Sequence, residues 1–338
     1  MRDVADPAAR DGEALIDVIR VGIDGTDTDI ARGEYGTAPA GSELLVIGHE
    51  ALGRVVRGAG PIAEGTLVVA SVRRPDGCPN CARGESDMCL WGRYKERGIV
   101  GLHGYCAERY AERPEFLFAI APELATPAVL LEPLTISEKG WRHIVSAQRR
   151  MTVWEPQRAL VLGAGTVGLL AALVFRLRGL EVTVVDRREK PERRAMVTKI
   201  GAAYAATSIT PLSEIASDGV DVAFEATGSA EVAFAAMNIV GRNGTLILAS
   251  VTGGHRPLSV PAEDINQRLV LGNALIVGTV NANRLDFEQG IRDIAAAEAK
   301  WPGFLGSLIT RRVPLERAAE TLEHDPAQIK QVVEIGAA

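Results

Sequence analysis

Cysteine is scarce in this chain. Four residues in 338 (Cys78, Cys81, Cys89 and Cys106) are too few for a disulfide-built secreted scaffold. Neither sign of charge dominates. With 37 Lys and Arg against 43 Asp and Glu, the net charge is −6. That excludes bulk attraction for nucleic acid or an anionic membrane, and is too weak for a halophile's surface. A basic-then-apolar leader is missing from MRDVADPAARDGEAL, so the chain reads as a cytoplasmic protein. Long apolar runs are lacking too. The longest uncharged one, Ala159 to Phe175, is broken by Gly163, Gly165 and Gly168, and reads as strand, turn and helix rather than a membrane span. What remains is ordinary globular composition, 47% hydrophobic and 24% charged, enough for two or three domains with real cores.

Up to about Arg142, short apolar runs such as ALIDVIRVGI and ALGRVV alternate with turn residues, predicting strands. The stretch Arg73 to Arg93 reads as an irregular lobe. Near Ile144 the pattern changes. RALVL, LEVTVVD, GVDVAFE, GTLILAS and ALIVGTV read as strands. TVGLLAALVFRLRG, KPERRAMVTKIG and EVAFAAMNIV between them read as helices, and FEQGIRDIAAAEAKW as a helix leaving the unit. Such alternation predicts a parallel sheet wound with helices. The tail from Leu305 to Gly336 is expected to return to the first domain. No internal repeat or low-complexity segment occurs.

Gly163-Ala-Gly165-Thr166-Val167-Gly168 follows one strand and opens one helix. The first glycine makes the tight turn, the second lets backbone approach a pyrophosphate, and the third lets helix and strand pack closely. The helix N-terminus adds unpaired N–H groups for an anion. Asp186 ends the next strand, where a carboxylate holds the ribose hydroxyls of NAD. Arg187 and Arg188 follow, where guanidinium groups hold the 2′-phosphate of NADP. The two signals oppose each other, and use of both cofactors is the expectation. The turn Glu225-Ala226-Thr227-Gly228 ends a later strand and is expected to border the nicotinamide.

Cys78, Cys81 and Cys89 have the spacing C-x2-C-x7-C, which suits one tetrahedral zinc, with Asp76 the nearest fourth ligand. A metal-free lobe of reduced thiols is the other reading. Cys106 reads as a small core residue. A dispersed set also stands out: Asp24-Gly25-Thr26-Asp27, Gly48-His49-Glu50 and Glu132-Pro133. With five histidines in the chain, one in a Gly-His-Glu turn after an apolar strand gains weight from such company.

GIDGTDTDI, VIGHEALGRVV, GCPNCARGESDMC, LLEP and VLGAGTVG occur in that order. Together they resemble the zinc-dependent medium-chain dehydrogenase/reductase superfamily over nearly the whole chain. RRPDGCPNCARGESDMC, YKERGI, DRREKPE, GNALIVGTVNANRLDFEQG and ITRRVPLERAAETLEHDPAQIKQVVEIG are similar to its glucose 1-dehydrogenase group. The resemblance implies an α/β protein. A GroES-like, mostly β catalytic domain would span 1–142 and 281–338, and a Rossmann doubly wound parallel sheet 143–280. It implies a catalytic zinc held by Asp24, His49 and Glu132, with Glu50 alternating or bridging through water. Asp27 would orient His49, and Thr26 would pass the substrate proton outward. Thr26, His49 and Glu50 are thus the expected catalytic residues. Gly163, Gly165, Thr166, Val167, Gly168, Asp186, Arg187, Arg188, Thr227 and Asn281 are expected to bind NAD(P). Glu96, Glu132 and Asn281 are expected to meet substrate.

The chain departs from the family pattern in several places. Asp24 stands where most members carry cysteine, so oxygen replaces a soft sulfur at unchanged charge, and discrimination against Mn²⁺ or Co²⁺ should fall. Pro75 falls near the first cysteine of the usual four-cysteine lobe. Val72 and Ile136 replace polar residues of sugar-binding relatives. The opening segment looks like the approach to the second or third strand, so the family's first strand is expected to be missing. The implied reaction takes a secondary or anomeric hydroxyl of a sugar-like substrate, aldose to lactone, with hydride passing to nicotinamide. The expected partner is a polyhydroxylated small molecule, with neither nucleic acid nor membrane, in a homodimer or tetramer paired through the ALIVGTV edge. Three alternatives stay open: a zinc alcohol or polyol dehydrogenase of a biosynthetic pathway, a zinc-free reductase, and a non-catalytic NAD(P)-binding protein.

Overall fold

A computed structural model of the chain describes residues 4–253, 256–323 and 325–336. The chain first forms β1 (Ala14–Ile23), α1 (Gly25–Ala31), β2 (Glu50–Arg57), β3 (Leu67–Ala70), β4 (Arg73–Arg74), β5 (Lys95–Arg97), β6 (Gly101–Leu102), β7 (Arg109–Glu112) and β8 (Leu117–Ile120). The helix α2 (Leu131–Gln148) leads on to β9 (Arg158–Leu162), α3 (Thr166–Leu177), β10 (Glu181–Asp186), α4 (Pro191–Lys199), β11 (Ala203–Ala206), α5 (Leu212–Ile215), β12 (Val220–Glu225), α6 (Ala230–Ala236), β13 (Val240–Leu248), α7 (Ala262–Gly272) and β14 (Leu275–Gly278). Then come α8 (Arg284–Lys300), α9 (Phe304–Ser307), β15 (Ile309–Pro314) and β16 (Lys330–Glu334). These elements form two compact units. One comprises Met1–Thr135, Asn281–Ala295 and Leu305–Ala338, and the other Ile136–Val280 and Ala296–Phe304.

The first unit is built on a seven-stranded sheet, order β15-β16-β1-β2-β3-β8, with β7 also paired to β1. β1 alternates buried and half-buried residues over its first turns and is buried throughout from Val18 to Ile23. That is the signature of a strand covered on both faces. Ile16, Val18, Val21, Val55, Val68, Tyr105, Val313 and Val333 form its core. Each aliphatic side chain so buried stabilises by roughly 1.5–3 kcal/mol. The irregular lobe opens with β4, which joins β5 and β6 just beyond the lobe in a three-stranded sheet of very short strands.

The second unit is a six-stranded parallel sheet in the order β11-β10-β9-β12-β13-β14. The order reverses between β9 and β12, the switch point outside which open α/β sheets bind ligands. α3 is buried without a break from Gly168 to Phe175, which is why its sequence is apolar all round. α6 stops at Ala236, earlier than the apolar run EVAFAAMNIV predicts. Val240 already belongs to β13, and the Ile239 carbonyl accepts from Val220 N–H, so β-branched residues went to the sheet. Among the described residues no helix is long and apolar enough to cross a membrane.

Candidate active site

Asp24 is the N-cap of α1. Its Oδ1 accepts from the Asp27 N–H at 3.2 Å, and Asp27 Oδ2 accepts from the Asp24 N–H at 3.1 Å. This is a capping box with aspartate in place of the usual glutamate at its third helical position. The box uses one oxygen of each carboxylate. Asp27 Oδ1 accepts from the Gly48 N–H at 2.8 Å and lies 3.7 Å from His49 Nδ1. Asp24 Oδ2 lies 3.7 Å from His49 Nε2. The imidazole is therefore bracketed by two carboxylates whose positions a helix start has fixed. Thr26 Oγ1 donates to Asp24 Oδ2 at 3.4 Å, on the same turn.

Glu50 opens β2, and Glu132 lies in the first turn of α2, where the helix N-terminus favours an anion. His49, Glu50 and Glu132 each offer a ligand atom within 4.8 Å of the others, as do Asp24, Asp27 and His49. His49 is common to both groups. All but Asp24 are buried, and Glu50 is ion-paired with the buried Lys330. Burial lowers the basicity of His49, but Asp24 and Asp27 outweigh it and hold the imidazole well above its ordinary value. Burial pushes Glu132 up; His49 offsets part of that rise, Glu50 and Asp24 add to it, and the carboxyl stands at about 8.

This donor set fits a metal ion. His49 Nδ1 is buried without a hydrogen bond among the described residues and lies on the Asp27 side, which leaves Nε2, on the Asp24 side, to face an ion. Imidazole nitrogen and carboxylate oxygen are both zinc ligands. The lobe fits as well. Asp76, Cys78, Cys81 and Cys89 offer ligand atoms within 4.8 Å of one another. The 3.9 Å between Cys78 Sγ and Cys89 Sγ matches the tetrahedron edge of about 3.8 Å that Zn–S bonds require. N–H groups of Cys81 and Leu90 point at Cys78 Sγ, and that of Gly92 at Cys89 Sγ. Burial raises the Cys78 thiol, yet those N–H groups bring it down to about 7, while burial pushes Cys81 up to about 12. Cys106 packs against the first unit's core.

The residues expected to meet substrate lie in the same unit. Glu96 is buried, and its Oε1 accepts from Arg73 at 3.0 Å and from Asn281 Nδ2 at 3.0 Å. Asn281 holds a left-handed backbone, φ 59°. The Arg73 guanidinium lies over the Tyr94 ring at 3.6 Å. Val72 is buried and Ile136 half-buried.

The second unit carries the glycine turn. Gly163 has φ +105°, and a Cβ there would fall 2.8 Å from the Ala226 carbonyl. At Gly168 a Cβ would fall 1.9 Å from the Gly163 carbonyl. At Gly165, the N-cap of α3, a Cβ would meet nothing. Two glycines thus close the turn, and the middle one leaves a space that suits a phosphate approaching Thr166, Val167 and the helix start. Asp186 ends β10, accepts from the Arg187 N–H at 2.7 Å and pairs with Lys190 at 3.2 Å. Arg187 and Arg188 are exposed and form no ion pair among the described residues. Thr227 donates from both its N–H (2.6 Å) and its hydroxyl (2.5 Å) to Glu225 Oε1, and Ser250 donates to Glu225 Oε2. Sequence reasoning missed Lys330, Lys190 and the Glu225–Ser250 pair. Lys330 and Ser250 meet their partners across distances that no local spacing encodes, whereas Lys190 lies only four residues from Asp186.

One mostly β unit with a His and carboxylate centre and one unit with a dinucleotide-type parallel sheet define the zinc-dependent medium-chain dehydrogenase/reductase class. The GroES-like domain of alcohol dehydrogenases matches residues 10–122, and the family described as glucose dehydrogenase C-terminus matches residues 125–335. The chain belongs to the glucose dehydrogenase family of that superfamily. It is 44% identical to a glucose 1-dehydrogenase of Methanocella arvoryzae, over 99% of this chain and 95% of the relative. It is 37% identical to one of Thermoproteus tenax, again over 99% and 95%. Among solved structures, Haloferax mediterranei glucose dehydrogenase in complex with NADP, Zn and gluconolactone superposes with TM-score 0.92 at 31% identity, covering 100% of this chain and 96% of that one. Galactitol-1-phosphate dehydrogenase of Escherichia coli, 20% identical with TM-score 0.80, shares the fold.

Proposed function

We propose that the chain is a zinc-dependent, NAD(P)⁺-linked sugar dehydrogenase that oxidises the anomeric hydroxyl of an aldose to a lactone. The observation that carries this is the bracketed imidazole. His49 lies 3.7 Å from Asp24 and shares a second group of close donor atoms with Glu132, in a chain whose 31% identical structural relative was solved with NADP, Zn and gluconolactone. Asp24, His49 and Glu132 would hold the zinc, and Asp27 would fix the imidazole through Nδ1. A zinc held there would supply Lewis acidity toward a hydroxyl oxygen, and a bound dinucleotide would supply the hydride acceptor. Thr26 takes the hydroxyl proton and passes it outward. Glu96 and Asn281 orient the remaining hydroxyls. Asp76, Cys78, Cys81 and Cys89 would hold a structural zinc.

Gly163, Gly165, Thr166, Val167 and Gly168 cradle the pyrophosphate, and Thr227 borders the nicotinamide. Asp186 serves the ribose, while the free Arg187 and Arg188 favour a 2′-phosphate, and the pairing of Asp186 with Lys190 weakens its repulsion. Both cofactors are used. We assign the catalytic domain to 1–142 and 281–338 and the nucleotide domain to 143–280, which differs from the two compact units only at 136–142 and 296–304, and place the protein in the cytoplasm. β14 ends its sheet with one side unpaired among the described residues, and exposed Val270, Leu271 and Val280 lie near it in sequence, which supports a homodimer paired there.

A second reading, oxidation of a non-glucose polyol, is favoured by Val72 and Ile136, which offer no hydroxyl contact. The deciding experiment follows NAD(P)H absorbance across aldoses, polyols and simple alcohols, with and without chelator. Activity confined to aldoses and lost with chelator is expected. Turnover of plain alcohols alone, or insensitivity to chelation, would overturn the reading.

A further inference from the structure

Asp87 and Asn283 have no part in the chemistry described above, yet buried hydrogen bonds tie them to a residue that does. Asn283 precedes α8 and caps it. Its Oδ1 accepts from the Leu285 N–H at 2.9 Å, and its own N–H donates to Asp286 Oδ2 at 3.0 Å. That reciprocal arrangement is a capping box. A cap needs only an acceptor oxygen, which serine or aspartate supplies as well. Asparagine adds an amide donor, and Nδ2 gives it to Asp87 Oδ1 at 3.2 Å, across 196 residues of sequence. Asp87 belongs to the irregular lobe, just before Met88 and Cys89. The lobe grips the same region a second time. Arg73 donates from Nη1 to the Asp87 carbonyl at 3.2 Å and from Nε to Glu96 Oε1 at 3.0 Å, where Asn281 Nδ2 donates as well. Arg73, Asp87, Glu96, Asn281 and Asn283 thus close a ring through the backbone of Ala282, and all five are buried.

We propose that Asn283, anchored by Asp87, is a positioning residue that holds Asn281 in the conformation that meets a sugar hydroxyl, so that sugar affinity depends on the lobe. The proposal rests on reading Glu96 and Asn281 as sugar contacts. Asn281 needs holding. Its φ of 59° is a region that side chains other than glycine seldom adopt, and such backbone persists where its surroundings fix it. Its Oδ1 is taken by the Ala282 N–H at 2.8 Å, and one Nδ2 hydrogen by Glu96. The second Nδ2 hydrogen meets no acceptor among the described residues, which leaves one buried donor for a ligand oxygen. Without the bond to Asp87, α8 keeps its cap, but its start is no longer tied to the lobe. Asn281, two residues upstream, then loses the fixed point against which its left-handed backbone is set.

The test uses the full-length chain loaded with Zn²⁺ and the aldose of highest kcat/KM in the panel above. Asn283→Ser keeps a capping oxygen and is too short to reach Asp87. Its KM for the aldose should rise about tenfold with kcat within about threefold of wild type. KM for NADP and Tm should stay as in wild type. Asp87→Ala should act as Asn283→Ser does, and Asp87→Asn, which keeps an acceptor oxygen, should restore the wild-type KM. A double-mutant cycle gives the sharpest comparison. In an Asn281→Ala background, adding Asn283→Ser should change kcat/KM by less than about twofold, because the residue it positions is already gone. A purely structural Asn283 predicts otherwise: an equal loss in both backgrounds, or a lower Tm with KM unchanged. Either result overturns the proposal, as does a raised KM in Asp87→Asn. Should Asn283→Ser not fold, Asp87→Ala enters the same cycle. If wild type turns over no aldose, the functional reading fails and this proposal with it. If wild type turns over an aldose and Asn283→Ser matches its KM, the reading stands and only this proposal falls.

Discussion

In the first unit, three buried carboxylates, an imidazole and an ammonium crowd together with the half-buried Asp24. In the second, the turn from Gly163 to Gly168 carries no ionisable side chain at all. One site is made of side chains whose charges must balance. The other is made of backbone whose side chains must be missing. The first tolerates shifts of chain and fails on a change of charge. The second is indifferent to charge and fails when a single carbon is added.

The largest effect should come from the imidazole. His49→Ala is expected to lower kcat/KM by about 10³-fold or more and to remove one equivalent of metal while dinucleotide affinity stays unchanged. Metal analysis and fluorescence titration with NADPH read both. Loss of dinucleotide binding would break the separation of the two sites.

Buried charge used for structure alone gives the next test. Glu112 is paired with Arg74 and Arg97, which outweigh burial and hold its carboxyl below the ordinary value. Glu112→Gln should cost about 3–5 kcal/mol at neutral pH with metal content unchanged in the folded protein. A lowered carboxyl contributes fully above its unfolded value and loses that contribution as pH falls through its folded value. The gap between the two proteins should therefore close in acid, as urea unfolding at several pH values would show.

The glycines allow a finer cut. Gly168→Ala should weaken dinucleotide binding roughly 10- to 100-fold and lower Tm, since its Cβ falls on the Gly163 carbonyl. Gly165→Ala should weaken binding with Tm unchanged, because its Cβ meets only the space a phosphate would take. Equal Tm losses would mean that the middle glycine is structural. Smallest is the cofactor ratio. Arg187→Ala with Arg188→Ala should shift preference toward NAD by about tenfold, roughly 1.4 kcal/mol, and Asp186→Ala should shift it toward NADP.

The same contrast explains what could be read from the letters. The nucleotide turn is six consecutive residues after an apolar strand, so its period and glycines were legible, and the sheet around it followed from strand and helix alternation. The metal centre draws on segments around residues 24, 49, 132 and 330. Its histidine and acids were legible through resemblance. Lys330 was not: a lysine opening a β-branched run reads as a solvated strand end until the sheet order brings it to Glu50. Asp24-Gly-Thr-Asp27 read as chemistry, and its second identity as a helix-capping box emerged from backbone geometry. α2 went unread as a helix because LEPLTISEKG mixes β-branched residues, glycine and proline that tertiary burial overrides.

β16 lies between β15 and β1, and Arg20 bonds Glu334 across 314 residues of sequence. During synthesis on the ribosome the nucleotide sheet is complete in itself well before β16 emerges. The first sheet must wait with a gap beside β1, and it is the late-arriving strand that brings the ammonium to Glu50. A nascent chain can thus grip coenzyme before its metal corner is electrically finished, and truncation or a stalled tail would yield a binder without turnover.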